Sequence, residues 1–210
     1  HRAGFDPTIV IGGRLNAIGS SAQLGDGDFL VAEADESDGS FMLLSPTVSV
    51  ITNIDPEHME HWKSEEALVR GFTDFAQKVP FFGFAALCLD HPVVQSIIPS
   101  LRRKVVTYGL GKQADYRAEG VEVSGTNSRF RLFHQSDDMG LIQLNMPGKH
   151  NVQNALAALA VSLELGADFQ DLQNALREFS GVERRFTIRA DLPPADGQDP
   201  VTLIDDYAHH

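Results

Sequence analysis

The residues of this chain that could do chemistry fall into a few short clusters. The first is Glu33-Ala34-Asp35-Glu36-Ser37-Asp38. Four carboxylates in six residues repel one another unless a cation, a proton or a basic partner offsets them. Glu33 lies nearest the apolar run before it, so a strand end would hold it most rigidly. It is a candidate Mg2+ ligand, since magnesium takes one or two carboxylates together with waters and substrate phosphates. Asp35 and Ser37 beside it are candidates for substrate contact. The second cluster is Thr52-Asn53-Ile54-Asp55-Pro56-Glu57-His58. His58, just past an apolar run, is a candidate metal ligand or acid/base, and His61 could share a helical face with it. Asn53 is a candidate substrate contact. A structural zinc site is not expected, because Cys88 is the only thiol.

Three further segments carry polar groups suited to a nucleotide. Pro147-Gly148-Lys149-His150-Asn151-Val152-Gln153-Asn154 reads as a turn entering a helix, where Asn151 or Asn154 could offer an amide to an adenine edge. Ordinary capping by His150 or Asn151 is the plainer reading. Gly181-Val182-Glu183-Arg184-Arg185-Phe186 places two arginines together in an acidic chain, a fork suited to phosphate or simply an exposed turn. Asp205-Asp206-Tyr207-Ala208-His209-His210 follows the last apolar run. Taken singly, each cluster reads as a polar loop. Three of them following apolar runs favour a ligand site, because open α/β sheets bind ligands outside the carboxyl ends of their strands.

The elements that must position these residues are legible in the pattern. Asp28–Glu33, Thr47–Ile54, Phe82–Leu89 and Lys104–Tyr108 are near-continuous apolar runs, suited to strands buried on both faces. Ser64–Lys78 opens with Ser-Glu-Glu and spaces Leu68, Phe72, Phe75 and Val79 as a helix does. Pro92–Leu101 is a short helix or turn. Asp115–Val123, Arg129–Gln135 and Gly140–Met146 read as an antiparallel meander, His150–Leu165 and Asp168–Phe179 as helices, and Val201–Ile204 as a last strand. The expected fold is α/β over a single domain 1–210: a mainly parallel sheet flanked by helices, with a small antiparallel meander.

Composition narrows the function. The chain has 210 residues, 17 basic and 29 acidic, for a net charge of −12. Between Arg14 and Lys63 there is no lysine or arginine, yet nine acids. This balance argues against a nucleic-acid partner. No run approaches the ~20 apolar residues of a membrane span, so no membrane partner is expected. A lone cysteine and no visible leader fit a reducing cytoplasm. Gly12-Gly13 and Gly25-Asp26-Gly27 are too sparse for a phosphate loop, and Gly19-Ser20-Ser21 is not a nucleophile elbow. On the residues alone, a two-metal phosphoesterase and a non-catalytic nucleotide-binding module stay open.

Five segments in order carry a resemblance: EADESDGSF (33–41), TNIDPEHMEHW (52–62), PGKHNVQNALAA (147–158), GVERRF (181–186) and DDYAHH (205–210). Together they resemble the central ATPase domain of the Mur ligases. The Asp-Glu-Ser-Asp stretch is similar to members that join L-alanine to UDP-N-acetylmuramate, or to their murein-tripeptide-recycling relatives. A lysine that some sister ligases carbamylate has no counterpart in Ser64–Gln77. The resemblance implies Glu33 and His58 as ligands of two magnesium ions, with Asn53 supporting the second. It implies Asn154, flanked by His150 and Asn151, at adenine, Arg185 at the ATP phosphates and Asp206 at the ribose. His209 and His210 fall at a hinge. The implied reaction uses ATP to phosphorylate the lactyl carboxylate of UDP-N-acetylmuramate, which L-alanine then attacks. The resemblance also implies a Gly-Lys-Thr phosphate loop and a UDP-binding domain ahead of residue 1, and an amino-acid-binding domain after residue 210. These 210 residues alone are therefore expected to be inactive.

Overall fold

The computed structural model describes residues 1–16, 19–182, 187–192 and 201–206. In chain order the elements are β1 (Thr8–Leu15), β2 (Ser20–Gln23), β3 (Leu30–Ala32), β4 (Val48–Ile51), α1 (Met59–Trp62), α2 (Glu65–Gln77), β5 (Phe84–Cys88), α3 (Pro92–Ile97), β6 (Val105–Gly109), β7 (Tyr116–Ser124), β8 (Asn127–His134), β9 (Asp137–Leu144), α4 (Lys149–Glu164), α5 (Phe169–Glu178), β10 (Thr187–Leu192) and β11 (Val201–Asp205). Short 3-10 turns cover Ser40–Leu43 and Ile98–Ser100. The described residues form two compact units. One comprises His1, Phe5–Glu33 and the segment from Glu178 onward; the other comprises Arg2–Gly4 and Ala34–Arg177.

The larger unit is built on a six-stranded sheet in the order β4-β5-β6-β7-β8-β9. The pairs β4·β5, β5·β6 and β6·β7 are parallel; β7·β8 and β8·β9 are antiparallel. The meander is thus continuous with the parallel sheet. Its last strand starts at Asp137, three residues before the Gly140 start expected from the sequence.

Strand β5 shows why its sequence is apolar throughout. All five residues are buried, Phe84, Ala86 and Cys88 in one core and Ala85 and Leu87 in another. The first core lies between the sheet and α4, which contributes Val152, Ala155, Leu156, Leu159 and Ala160. The second is filled by Leu68 and Ala76 of α2 and Val94 and Ile97 of α3. In β8 the pattern alternates instead: Phe130 and Leu132 are fully buried while Arg129 and Arg131 face out. Burial on one face only requires that alternation.

Local chemistry sets the helix starts. The Ser64 hydroxyl accepts from the Ala67 amide at 3.2 Å and opens α2, with Glu65 and Glu66 in its first turn. Asp168 accepts from the Gln170 and Asp171 amides at 2.8 and 3.3 Å and opens α5. Helix α4 follows Gly148 without a side-chain cap.

In the smaller unit β1 lies between β2 and β3, antiparallel to β2 and parallel to β3. Strands β10 and β11 form an antiparallel pair. Strand β1 escaped the sequence reading because Gly12-Gly13 interrupts the apolar run Ile9–Ile11, and β2 because Ser-Ser-Ala-Gln carries no apolar run. Among the described residues no helix is long and apolar enough to cross a membrane.

Leu156 is fully buried between α4 and the sheet. Leu156→Ala should cost about 2–5 kcal/mol, the usual range for a buried leucine, measured by denaturant unfolding. A loss below about 1 kcal/mol would contradict this packing.

Candidate functional site

Strands β4, β5 and β6 run parallel, so the loops that follow them leave one edge of the sheet. The loop after β4 carries Asn53 to His58, the loop after β5 carries Asp90 and His91, and the loop after β6 carries Leu110 and Gly111. Strand direction brings candidate groups from separate stretches of chain to that edge.

The loop after β4 is tied down by its own side chains. The Thr52 hydroxyl donates to Asn53 Oδ1 at 2.7 Å, and Asn53 Nδ2 donates to Asp55 Oδ2 at 2.6 Å. His91 Nε2 lies 3.2 Å from Asp55 Oδ1, while His91 Nδ1 accepts from the Val94 amide at 3.4 Å. An acceptor at Nδ1 puts the proton of a neutral ring on Nε2, where it donates to Asp55. Asn53 therefore braces the loop.

His58 has a left-handed backbone, φ 53° and ψ 38°, at the start of α1. Few residues other than glycine adopt this conformation, and it marks a constrained position. A ligand atom of His58 lies within 4.8 Å of one from Glu36 and one from Glu57, and the three also lie within that distance of each other. All three side chains are half-buried. Imidazole nitrogen with two carboxylates is a donor set suited to a divalent cation.

Trp62 brings Glu36 to this place. Its indole N–H donates to the Glu36 carbonyl at 3.0 Å, and its ring packs at 5.9 Å from that of Phe41. The single turn α1 thus carries His58 at its start and, at its end, the residue that holds the acidic loop.

The other acids of that loop are used locally. Asp35 Oδ1 accepts from the Ser37 amide at 2.7 Å, and Asp38 Oδ1 from the Ser40 amide at 2.8 Å. Hydrogen bonds from the Ser37 side chain and then its amide hold the Asp35 carboxyl below the usual aspartate range, and Ser40 does the same for Asp38. A depressed carboxylate pKa stabilises the turn at neutral pH, and that contribution is lost as pH falls through the lowered value. Asp35 and Ser37 therefore make a turn with each other.

Glu33 belongs to the smaller unit. Its amide donates to the Val10 carbonyl at 2.9 Å, and its Oε2 accepts from the Gly12 amide at 2.5 Å. A Cβ at position 12 would lie 3.2 Å from that oxygen, so glycine there lets the carboxylate close on the backbone.

In the first turn of α4, Asn151 Nδ2 donates to the Pro147 carbonyl at 2.7 Å. This bond occupies one donor of Asn151, and Gly148 rather than His150 or Asn151 sits at the cap. His150 and Asn154 are exposed. Asp206, just past β11, is exposed. Arg185, His209 and His210 lie outside the described residues.

Sequence reasoning did not single out Glu36, Glu57, Asp90, His91 or Gln153 as site residues. Asp90-His91-Pro92 directly after an apolar run was the available signal for two of them.

The model of the Mur ligase middle domain matches residues 15–162. A UDP-N-acetylmuramate–L-alanine ligase from Anaeromyxobacter dehalogenans strain 2CP-C is 52% identical over 208 residues, covering 99% of this chain and 44% of that protein. A protein of the same name from Syntrophobacter fumaroxidans is 47% identical over 209 residues, covering 100% of this chain and 43% of its own length. Among solved structures, a UDP-N-acetylmuramate-alanine ligase from Thermotoga maritima superposes with a TM-score of 0.83 at 28% identity, covering 100% of this chain and 46% of that one. A murein peptide ligase from Psychrobacter arcticus shares the fold, with a TM-score of 0.73 at 23% identity over 100% of this chain and 47% of that one. The chain belongs to the Mur ligase family, within which it corresponds to the middle domain. It spans less than half the length of these relatives.

Trp62→Phe keeps an aromatic ring against Phe41 but removes the donor to Glu36. Loss of about 1 kcal/mol of hydrogen bonding should speed hydrogen exchange at the amides of residues 35–40 about fivefold, measured by mass spectrometry. Unchanged exchange there would show that the indole does not hold the loop. Ser37→Ala should raise the Asp35 pKa toward the ordinary aspartate value in an NMR titration, since it removes the largest lowering contribution.

Proposed function

We propose that this chain is the nucleotide- and metal-handling part of an ATP-dependent ligase that joins L-alanine to the lactyl carboxylate of UDP-N-acetylmuramate. The observation that carries the reading is 52% identity, over 99% of the chain, to a ligase of that name. The clustering of Glu36, Glu57 and His58 beside the β4 strand end supports it from the chemistry. The reaction fits the cytoplasm, and a free, buried Cys88 is consistent with a reducing compartment.

In this reading ATP and Mg2+ are the cofactors. His58, with Glu36 and Glu57, would hold one magnesium ion near the substrate carboxylate, and Glu33 would serve the ion at the ATP phosphates. When bound, the ions neutralise charge on the phosphoryl group in transfer and orient the carboxylate. The lactyl carboxylate oxygen attacks the γ-phosphorus of ATP and ADP leaves. The free amine of L-alanine then attacks the acyl carbon, phosphate leaves and the nitrogen gives up a proton. Asn53 braces the loop that presents His58. Asn154 would read the adenine edge with His150 and Asn151 beside it, Arg185 would face phosphate and Asp206 the ribose. Asp35 and Ser37 shape the acidic loop at the substrate side. The remaining substrate contacts would come from the parts of the longer relatives that this chain does not span.

The full-length protein should release ADP only when ATP, UDP-N-acetylmuramate and L-alanine are all present, read in a coupled ADP assay. His58→Ala should lower kcat/KM on the order of 10²–10³-fold while nucleotide affinity survives. ADP release without the amine, or ligation of a tripeptide in preference to L-alanine, would overturn the substrate assignment. Unchanged activity in His58→Ala would remove His58 from the site.

A further inference from the structure

We propose that Asp90 and Gln153 are positioning residues that set the N-terminal two turns of α4 for the nucleotide; this rests on the reading above, in which Asn154 meets adenine. Asp90 lies two residues past β5. Its Oδ1 accepts from the amides of Leu110 at 3.0 Å and Gly111 at 3.1 Å, and its Oδ2 from the Leu110 amide and the Gln153 side-chain amide, both at 2.7 Å. One carboxylate therefore joins the loops after β5 and β6 to α4. A Cβ at position 109 would lie 2.7 Å from Asp90 Oδ1, so Gly109 is what lets the carboxylate reach these amides.

The first turn of α4 needs such an anchor. Gly148 precedes it with no side-chain cap, and its one local side-chain bond runs from Asn151 to the Pro147 carbonyl. Gln153, in the second turn, gives this end of the helix a bond to a distant loop, from a partner 63 residues away in sequence. The side chain of Asn154, the next residue, is exposed and makes no hydrogen bond to another described residue. A side chain left free beside one that is firmly held is suited to an incoming ligand.

The test is the affinity of the full-length protein for a fluorescent ATP analogue, with steady-state kinetics alongside. Gln153→Leu removes the donor to Asp90 and should weaken the analogue about tenfold and raise KM for ATP by a similar factor. The kcat at saturating ATP and the KM values of the other two substrates should hold. Gln153→Lys restores a donor to the carboxylate and should return affinity to within about threefold of the native protein. Asn154→Ala reports separately on the underlying reading: if it leaves analogue affinity unchanged, the turn does not read the nucleotide. If Asn154→Ala weakens binding while Gln153→Leu lowers only Tm, the positioning role is overturned and the nucleotide reading stands.

Discussion

Like charges crowded on a short stretch of chain must be offset, and this constraint organises the site. Nine acids and no lysine or arginine lie between Arg14 and Lys63. Lysine partners from the neighbouring sequence are therefore scarce, and the fold answers with backbone amides. Glu33 closes on the Gly12 amide, Asp35 on Ser37 and Asp38 on Ser40. Glu36 is treated differently: Trp62 holds its backbone, and its side chain stands with Glu57 and His58. Asp35 and Asp38, which build local turns, are thereby separated from Glu36, whose carboxylate stands free of the turn beside Glu57 and His58.

The same strand edge supplies a second layer of order. Asn53, Asp55 and His91 link the loops after β4 and β5, while Asp90 links the loops after β5 and β6 and reaches α4. Neighbouring loops are thus cross-braced by carboxylates that accept two or more bonds each. Charge-assisted bonds of this kind are stronger and more directional than neutral ones. The result is a rim whose residues are placed by side chains, resting on strands placed by apolar burial.

Much of this fold is legible in the sequence because burial writes a pattern. The uninterrupted run Phe84–Cys88 reflects a strand covered on both faces, and the alternation of Arg129, Phe130, Arg131 and Leu132 one covered on a single face. Ser64 and Asp168 announce their helices as caps. Strand β1 was hidden because Gly12 is there for the approach of Glu33, a reason that lies 21 residues away. His58, Glu33 and Asn154 stood out as candidates from their types and from the resemblance of five spaced motifs, and of these the structure brings His58 beside two carboxylates. Glu36, Glu57, Asp90 and Gln153 did not, since what sets them apart is a tertiary meeting, such as the 63-residue span between Asp90 and Gln153.

The central claim is that the half-buried group of Glu36, Glu57 and His58 is a divalent-cation site of a nucleotide-dependent ligase. The most direct measurement is a crystal structure of the full-length protein with Mn2+ and a non-hydrolysable ATP analogue, using anomalous scattering to locate the metal. An anomalous peak is expected at bonding distance from the His58 imidazole and from a carboxylate of Glu36 or Glu57. Manganese bound with the nucleotide but with no peak at His58 would contradict it.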